Sequence, residues 1–283
     1  MPEIIKAIFY GIVEGITEWL PISSTGHLIL VEELIPFEGV SEDFFGMFDV
    51  VIQLGAILAV VLLFWNQIWP FALTKAERGD RTGIRSFVKM DIMTLWFKIL
   101  VSCVPAAVIG VLFDDVFDAL FYNPVCVALA LIIFGIAFIV IENWNKGRKS
   151  RINVLSDITY TTALLIGIFQ LIAAVFPGTS RSGATIVGAL LIGVSRTIAA
   201  EYTFFLAIPV MFGASLLKVV KFGFAFTTLE VTLLLIGTVV SFAVSLLVLR
   251  FLMSYIKKHD FKVFGWYRIA LGLVVLGYFG LVV

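Results

Sequence analysis

Two polar clusters interrupt apolar stretches of this sequence, and each lies beside a proline. Glu14 and Glu18 are four residues apart, a spacing that places both carboxylates on one face of a helix. Past Pro21 the side chains that could do chemistry are Ser23, Ser24, Thr25 and His27. Past Pro177 they are Thr179, Ser180, Arg181, Ser182 and Thr185. If the two clusters meet, one pocket holds two carboxylates, several hydroxyls, an imidazole and a guanidinium.

These side chains are suited to phosphoryl chemistry. Arg181 offers a planar fork of donors that matches phosphate oxygens. N–H groups at helix starts after the prolines add further donors, as do the hydroxyls predicted to bind phosphate: Ser23, Thr25, Thr179, Ser180, Ser182 and Thr185. Glu14 and Glu18 would repel a bare polyanion, so we expect them to hold a divalent cation that bridges phosphates, or to act as general acid or base. Ser24 is a candidate nucleophile, with His27 as its activating base or proton carrier. The set predicts phosphoryl chemistry on a group that reaches the site from the bilayer.

Structural roles are the alternative for several of these residues. Hydroxyls beside a helix kink often satisfy freed backbone groups, and His27 or Arg181 could be a hydrogen-bonded core residue or an interfacial charge. The carboxylate pair is harder to explain in this way, because an ionisable group at membrane depth costs about 2.5–3.5 kcal/mol on insertion scales. Four polar residues near the ends of apolar stretches are interpreted as helix caps or interfacial charges: Asp49, Gln53, Arg196 and Glu201.

The composition excludes a water-soluble globule. Of the 283 residues, 61% are hydrophobic and 14% are charged, and the mean hydropathy is +1.08, whereas soluble domains carry about 25% charged residues. The two cysteines, both inside apolar runs, exclude a disulfide scaffold. Because 20 basic residues balance 20 acidic ones, net charge gives no reason to expect a nucleic-acid partner. The chain is therefore predicted to be a membrane protein.

The apolar stretches predict an all-α, polytopic integral membrane protein with a single transmembrane domain over 1–283. Lipid leaves no partner for open backbone groups, and the segments do not alternate as barrel strands do. Predicted spans cover 44–65, 93–113, 125–141, 200–220, 231–249 and 264–283. Regions 4–35 and 158–195 are broken by Pro21 and Pro177, so we expect two broken helical hairpins, either re-entrant or crossing twice.

Basic residues predict the orientation, because they concentrate in short cytoplasmic loops. Segments rich in Lys and Arg are placed inside: 67–92, 143–157 and 250–268. Acidic segments without basic residues are placed outside: 36–43 and 114–124. The span count then makes the two hairpins enter from opposite faces.

The hairpins also resemble each other in sequence. Residues 11–24 align without gaps on 167–180, so that Pro21 falls on Pro177 and Ser24 falls on Ser180. With the opposite orientations, this predicts an inverted-topology repeat, with repeat one about 4–142 and repeat two about 158–283, joined by the basic cytoplasmic loop 143–157. Such repeats place a functional site where broken helices converge inside the membrane.

Three stretches closely resemble the bacterial undecaprenyl-diphosphate phosphatase family of the bacitracin-resistance type. They are EGITEWLPISSTGH at 14–27, FDVVIQLGAILAVV at 48–61 and PGTSRSGATI at 177–186. The resemblance implies a multi-pass enzyme of the bacterial cytoplasmic (inner) membrane that removes the terminal phosphate of undecaprenyl diphosphate. The products would be undecaprenyl phosphate and inorganic phosphate, which recycles the lipid carrier for cell-wall synthesis.

The same resemblance implies roles for individual residues. Ser24, the second serine of the Ser-Ser-Thr-Gly-His stretch, is implied as the nucleophile, and Arg181 as the phosphate clamp. The divalent-cation dependence of the family, on magnesium or calcium, would fit Glu14 and Glu18. The charge distribution favours access from the outer leaflet.

Two alternatives stay open from the sequence. A lipid flippase or ion-coupled transporter would also use an inverted repeat and broken helices. Within the enzyme hypothesis, a metal-bound or Glu-activated water could attack in place of Ser24. The expected partners are a polyprenyl diphosphate lipid and the bilayer, without nucleic acid, and the sequence is compatible with a homodimer.

Overall fold

The computed structural model describes residues 2–41, 43–72, 84–121, 123–223 and 225–282. Ten helices longer than ten residues occur in these ranges. The remaining regular structure consists of short helical segments of three or four residues and two isolated β-bridges. The helices of the first half are α1 Glu3–Thr17, α2 Ser24–Leu34, α3 Phe44–Leu63, α4 Met90–Phe121 and α5 Pro124–Asn145. Those of the second half are α6 Tyr160–Val175, α7 Arg181–Ile192, α8 Arg196–Phe222, α9 Thr228–Ile256 and α10 Lys262–Val282.

The prediction of an all-α, multi-pass membrane protein is confirmed. Among the described residues, six helices are long and apolar enough to cross a membrane: α3, α4, α5, α8, α9 and α10. They correspond to the six predicted spans. Large apolar side chains remain exposed along them, Leu62 and Leu247 for example, as expected for surfaces that face lipid.

Both proline-broken regions form helical hairpins with a short second leg. In the first hairpin α1 ends at Thr17 and α2 starts at Ser24, and in the second α6 ends at Val175 and α7 starts at Arg181. The short legs, α2 with 11 residues and α7 with 12, extend about 17 Å, well below the roughly 30 Å of a hydrocarbon core. Their geometry therefore fits the re-entrant form of the expected hairpins.

One predicted loop is wrong. The outer segment 114–124 is mostly helix, because α4 continues to Phe121 before α5 begins at Pro124. The stretch VLFDDVFDALF contains no proline or glycine to end a helix, and its acidic residues alone suggested a loop. Asn123 then caps α5 by accepting a hydrogen bond from the Cys126 N–H.

The predicted inner segment 67–92 is only partly described. A one-turn helix covers Trp65–Ile68, and Phe71 forms an isolated antiparallel bridge with Val88. Residues 73–83, which include Lys75, Arg78 and Arg81, lie outside the described residues.

The helices of the two halves pack reciprocally. If α1–α5 are matched in order with α6–α10, α1 packs on α9 while α6 packs on the matching helix α4. The matched pairs α3–α8 and α5–α10 also pack on each other. This reciprocity supports the expected repeat, whose inverted orientation and boundaries stay a prediction, as does the homodimer.

Polar contacts group the loops at two ends of the bundle. At one end Glu142 accepts hydrogen bonds from Arg196, at the start of α8, and from the Phe261 N–H in the α9–α10 loop. At the other end Glu230, at the start of α9, accepts hydrogen bonds from the Ser41 N–H and hydroxyl. The loops that meet at the Glu142 end are those that charge assigns to one face, and the loop that meets Glu230 is assigned to the opposite face. Which end faces the cytoplasm stays a prediction.

Arg268 corrects the assignment of segment 250–268 to a loop. The loop between α9 and α10 covers only 257–261, and Arg268 lies within α10 with 0% of its surface exposed. Charge counting treats every arginine as a surface charge, whereas this one is surrounded by backbone carbonyls of the hairpin turns.

A mutual glycine contact sets the distance between α5 and α10. A Cβ on Gly135 would lie 2.7 Å from the Gly265 carbonyl oxygen, and a Cβ on Gly265 would lie 2.7 Å from the Gly135 carbonyl oxygen. Small residues allow this close approach, on which helix association in lipid depends.

Gly265→Ala is expected to lower the free energy of unfolding by about 1–3 kcal/mol, because its Cβ would meet backbone that cannot move without displacing a helix. The measurement is thermal or denaturant unfolding in detergent micelles. Gly277→Ala is the matched control on the same helix, since its Cβ would meet nothing within 4 Å. Equal stability of both variants would contradict the close-packing assignment.

Candidate functional site

The two hairpin tips meet at the carboxylate of Glu18. Its Oε2 accepts a hydrogen bond of 2.8 Å from the Ser24 hydroxyl, and its Oε1 accepts one of 2.7 Å from Arg181 Nη2. Ser24 belongs to the first hairpin and Arg181 to the second. All three side chains are largely removed from solvent. One acid therefore joins a hydroxyl and a guanidinium from opposite halves of the chain.

Further contacts fix Arg181 and the start of α7. Arg181 Nη1 donates to the Thr203 carbonyl oxygen at 3.2 Å, and Nη2 also lies 3.5 Å from the Met211 sulfur. The Ser182 hydroxyl donates to the Glu18 backbone oxygen at 3.2 Å. The Thr185 hydroxyl accompanies this group, bonding to the Arg181 carbonyl oxygen and lying 2.9 Å from the Thr203 hydroxyl. The sequence did not single out Thr203 or Met211, because nothing in an apolar span marks which residues face a distant hairpin.

Arg268 holds the two turns together. Its guanidinium donates to the Thr179 and Gly178 carbonyl oxygens at 2.7 and 3.0 Å, and to the Pro21 carbonyl oxygen at 3.3 Å. The broken helices expose carbonyls that have no helical partner, and the arginine satisfies them. The sequence analysis missed this residue; a basic residue at the fifth position of the predicted span 264–283 is the signal that could have found it.

Both short helices begin in the same unusual conformation. Ser23 and Ser180 are the non-glycine residues with positive φ among those described, at 75° and 67°. Each is the N-cap of its helix, and each hydroxyl oxygen accepts a hydrogen bond from the N–H three residues on, at Gly26 and Gly183. The hydroxyls predicted to bind phosphate at these two positions are thus partly engaged in capping.

The shared caps shift the expected repeat alignment by one residue. The caps pair Ser23 with Ser180, whereas the ungapped alignment paired Ser24 with Ser180, because the second turn has one more residue between proline and cap. Ser24 and Arg181 are consequently equivalent, each the first residue of its short helix. Both helix N-termini bring their partial positive charge to the site, which favours an anion there.

The hydrogen bonds of His27 in the described structure go to groups other than the Ser24 hydroxyl. Its Nδ1 lies 2.7 Å from the Ser23 carbonyl oxygen, and its Nε2 lies 2.7 Å from the Tyr267 hydroxyl, with the two rings stacked at 5.6 Å. In this arrangement Glu18 is the hydrogen-bond partner of the serine, and the expected role of His27 as activating base or proton carrier stays a prediction. The sequence intervals, three residues from Ser24 to His27 and six from Ser24 to Glu18, could not show which of the two side chains bonds the serine.

Glu14 fits a cation better than Glu18 does. Glu14 is 0% exposed, and neither of its carboxylate oxygens has a hydrogen-bond partner in the described part of the chain. Glu18 uses both oxygens on Ser24 and Arg181. No cluster of three or more His, Cys, Asp or Glu side chains with metal-binding geometry occurs among the described residues. This donor set suits Mg²⁺, which takes one or two carboxylates and completes its shell with water and phosphate oxygens.

A polar cavity reaches the tips from one side. Its volume is about 530 Å³, and Thr25 and Pro177, one from each turn, form part of its wall. Polar side chains from α3 and α8 also line it: Asp49, Gln53 and Lys218. Thr179, within the second turn, is buried with a hydroxyl that has no partner among the residues described. The sequence analysis interprets Asp49 and Gln53 as residues near the end of a span, although both belong to the stretch 48–61 that resembles the family. In the structure both line this cavity.

Comparison with known proteins gives a consistent result. The sequence model of the family described as bacitracin resistance protein BacA matches residues 7–274. The undecaprenyl-diphosphatase of Desulfitobacterium hafniense (strain DSM 10664 / DCB-2) is 67% identical over 277 residues, covering 98% of this chain and 96% of that protein. Undecaprenyl-diphosphatase 1 of Clostridium acetobutylicum is 65% identical, over 98% and 97% of the two chains. An undecaprenyl-diphosphatase of Enterococcus faecalis is 60% identical, over 97% and 96%.

Arg268→Gln is expected to lower the free energy of unfolding by about 3 kcal/mol, because it leaves several buried carbonyls without a donor at about 1–3 kcal/mol each. Unfolding in detergent gives the stability, and hydrogen exchange of the 18–26 and 176–183 amides reports the turns. The control is Arg250→Gln, at an exposed position of α9. Unchanged exchange in both turns would contradict the linking role.

Proposed function

Because this chain belongs to the bacitracin resistance protein BacA family, we propose that it is an undecaprenyl-diphosphatase. It hydrolyses undecaprenyl diphosphate to undecaprenyl phosphate and inorganic phosphate and so regenerates the lipid carrier for cell-wall synthesis. The observation that carries the proposal is the Glu18 carboxylate shared by Ser24 and Arg181. A hydroxyl bonded to an acid, next to a guanidinium, is the set that transfer of a phosphoryl group needs.

In the proposed first step, the Ser24 oxygen attacks the terminal phosphorus of the diphosphate. The bond between this phosphorus and the bridging oxygen breaks, and undecaprenyl phosphate leaves. Glu18 takes the serine proton, for which the 2.8 Å hydrogen bond is already in place. Water then attacks the phosphorus of the phosphoserine, and the bond between this phosphorus and the Ser24 oxygen breaks. Inorganic phosphate leaves, and the proton held by Glu18 returns to the Ser24 oxygen.

Arg181 changes partner in this mechanism. Without substrate its guanidinium is paired with Glu18, and its planar fork also matches the oxygens of a terminal phosphate. When phosphate takes the guanidinium, the Glu18 oxygen that accepted from Arg181 is released. The predicted phosphate ligands Ser23, Thr25, Ser180, Ser182 and Thr185 surround these two helix starts, and Thr179 adds a hydroxyl without a partner among the described residues.

A divalent cation, magnesium or calcium, completes the proposal. Glu14 would hold it through its carboxylate, which has no hydrogen-bond partner among the residues described, with Glu18 nearby on the same helix face. When bound, such an ion neutralises negative charge that develops on phosphate oxygens. The residues of the chain supply the remaining functions: Glu18 receives a proton and Arg181 orients the phosphate.

We also propose the cytoplasmic (inner) membrane of a bacterium as the location, with the site entered from the outer leaflet. The cavity lined by Thr25 and Pro177 is also lined by Phe45 and Gly46, at the start of α3, close in the chain to Ser41, which bonds Glu230. The end of the bundle with this bond holds the acidic segment 36–43, which the charge distribution places outside. The flippase or transporter alternative is not favoured, since the similar proteins compared are named diphosphatases.

Ser24→Ala is expected to reduce phosphate release from undecaprenyl diphosphate by at least about a thousandfold, because a missing nucleophile costs that much or more in related covalent mechanisms. The measurement is inorganic phosphate release by purified protein in detergent. Ser215→Ala is the control, since this buried hydroxyl donates to the Val50 carbonyl oxygen, away from the hairpin tips, in the part of the chain that the structure describes. Turnover near that of the unmodified protein would instead favour direct attack by water.

Glu14→Gln is expected to raise the magnesium concentration required for half-maximal activity by at least about tenfold, because an amide oxygen replaces a full negative charge. Metal-stripped protein is titrated with Mg²⁺, and Mn²⁺ binding is followed in parallel by electron paramagnetic resonance. Gln170→Glu gives a comparison, because Gln170 aligns with Glu14 in the other half and is also buried without partners in the described chain. Unchanged Mn²⁺ affinity in Glu14→Gln would remove Glu14 as a ligand.

A further inference from the structure

A second cavity, rich in positive charge, lies at the other end of α7. Its volume is about 830 Å³, and its wall includes residues from the end of α5, the loop after it, the end of α7 and the start of α8. Since α7 runs from Arg181 to Ile192, this cavity is about 17 Å from the proposed catalytic residues. We call it the basic cavity.

The charge of the basic cavity is strongly one-sided. The basic residues lining it are Arg148, Lys149, Arg151, Arg196 and Lys257. Glu142 is its acidic member among the described residues, and it is 2% exposed. The Glu142 carboxylate is already engaged, because it accepts hydrogen bonds from Arg196 Nε at 2.9 Å, Arg196 Nη2 at 2.5 Å and the Phe261 N–H at 3.0 Å. Among the described residues of the wall, no second acid pairs with the other four cations, and Lys257 has Glu201 near it outside the wall.

The wall is held in place by backbone contacts. Ile152 forms a parallel bridge with Val194, the Arg151 N–H donates to the Gly193 carbonyl oxygen at 2.8 Å, and the Ser195 N–H donates to the Ile152 carbonyl oxygen at 2.9 Å. The loop that carries the arginines is thus fastened to the α7–α8 connection. A preorganised wall lowers the entropic cost of binding, which distinguishes this cavity from a mobile basic tail.

The rim of the basic cavity is apolar and exposed. Trp144 is 58% exposed and Leu191 57%, and the Arg148 guanidinium lies 4.1 Å from the centre of the Trp144 ring. Tryptophan is typical of membrane–water interfaces. A ligand that suits both features has a negative headgroup and acyl chains that leave along the rim.

We propose that the basic cavity binds the phosphate headgroup of an anionic phospholipid from the adjacent leaflet. Arg148 and Arg151 bind the phosphate oxygens, and the chains lie against Trp144 and Leu191. Basic pockets between transmembrane helices bind anionic headgroups in this way. The site is independent of the proposed diphosphatase activity, and a free phosphate would use the headgroup contacts without the rim.

The test measures lipid binding to delipidated full-length protein by native mass spectrometry. We expect one phosphatidylglycerol to bind in preference to phosphatidylcholine. Arg148→Gln with Arg151→Gln should weaken this binding roughly 30-fold, since each basic residue near a lipid surface contributes about a factor of five. The control double variant is Lys146→Gln with Lys258→Gln, because both lysines are exposed neighbours that do not line the cavity; it should bind as the unmodified protein does.

Three results would overturn the proposal. They are equal weakening in the two double variants, equal binding of phosphatidylcholine, and displacement of the lipid by millimolar inorganic phosphate, which would indicate a free-anion site. Thermal unfolding without lipid checks that each variant is folded. If the double arginine variant unfolds, Lys257→Gln against Lys258→Gln makes the same comparison, with weaker phosphatidylglycerol binding expected only for Lys257→Gln.

Discussion

The shared carboxylate of Glu18 is the interaction on which the rest of the site depends. It accepts a hydrogen bond from each hairpin, so neither half of the chain forms this arrangement alone. Removing one partner of a buried ion pair leaves the other charge unpaired, and this penalty exceeds the net value of the pair. The pair therefore contributes specificity more than stability: a packing of the hairpins that separates Arg181 from Glu18 is strongly disfavoured.

Much of the fold follows from the sequence for a simple reason. In lipid the backbone N–H and C=O groups need hydrogen-bond partners within the protein, and in this chain helices provide them. Long apolar runs therefore predict helices, and a proline with polar neighbours predicts a break. The errors of the sequence-based prediction concern where charged residues lie. The acidic residues of 114–124 suggested a loop where α4 continues, and Arg268 was counted with a loop although carbonyls surround it. A charge count records residue type, whereas the location of a charge depends on groups that only the folded chain brings near.

The candidate site was predictable in its members and not in its pairings. The hydroxyls, carboxylates and Arg181 were found because polar groups at membrane depth are unusual. Which carboxylate meets Ser24 depends on the backbone of the turns, where Ser23 and Ser180 adopt positive φ. That conformation turns the first residue of each short helix toward Glu18 and His27 toward Tyr267. Residue spacing alone does not contain this information, and the one-residue difference between the turns hid the equivalence of Ser24 and Arg181.

Arg268 has a consequence for how the tips attract an anion. Its hydrogen bonds end on carbonyl oxygens, which carry only partial negative charge. A full positive charge thus stays close to both helix starts and out of reach of dissolved ions. Added salt screens exposed lysines strongly and buried charges much less. The electrostatic attraction between the hairpin tips and a lipid headgroup should accordingly persist at ionic strengths that abolish long-range recruitment by the protein surface.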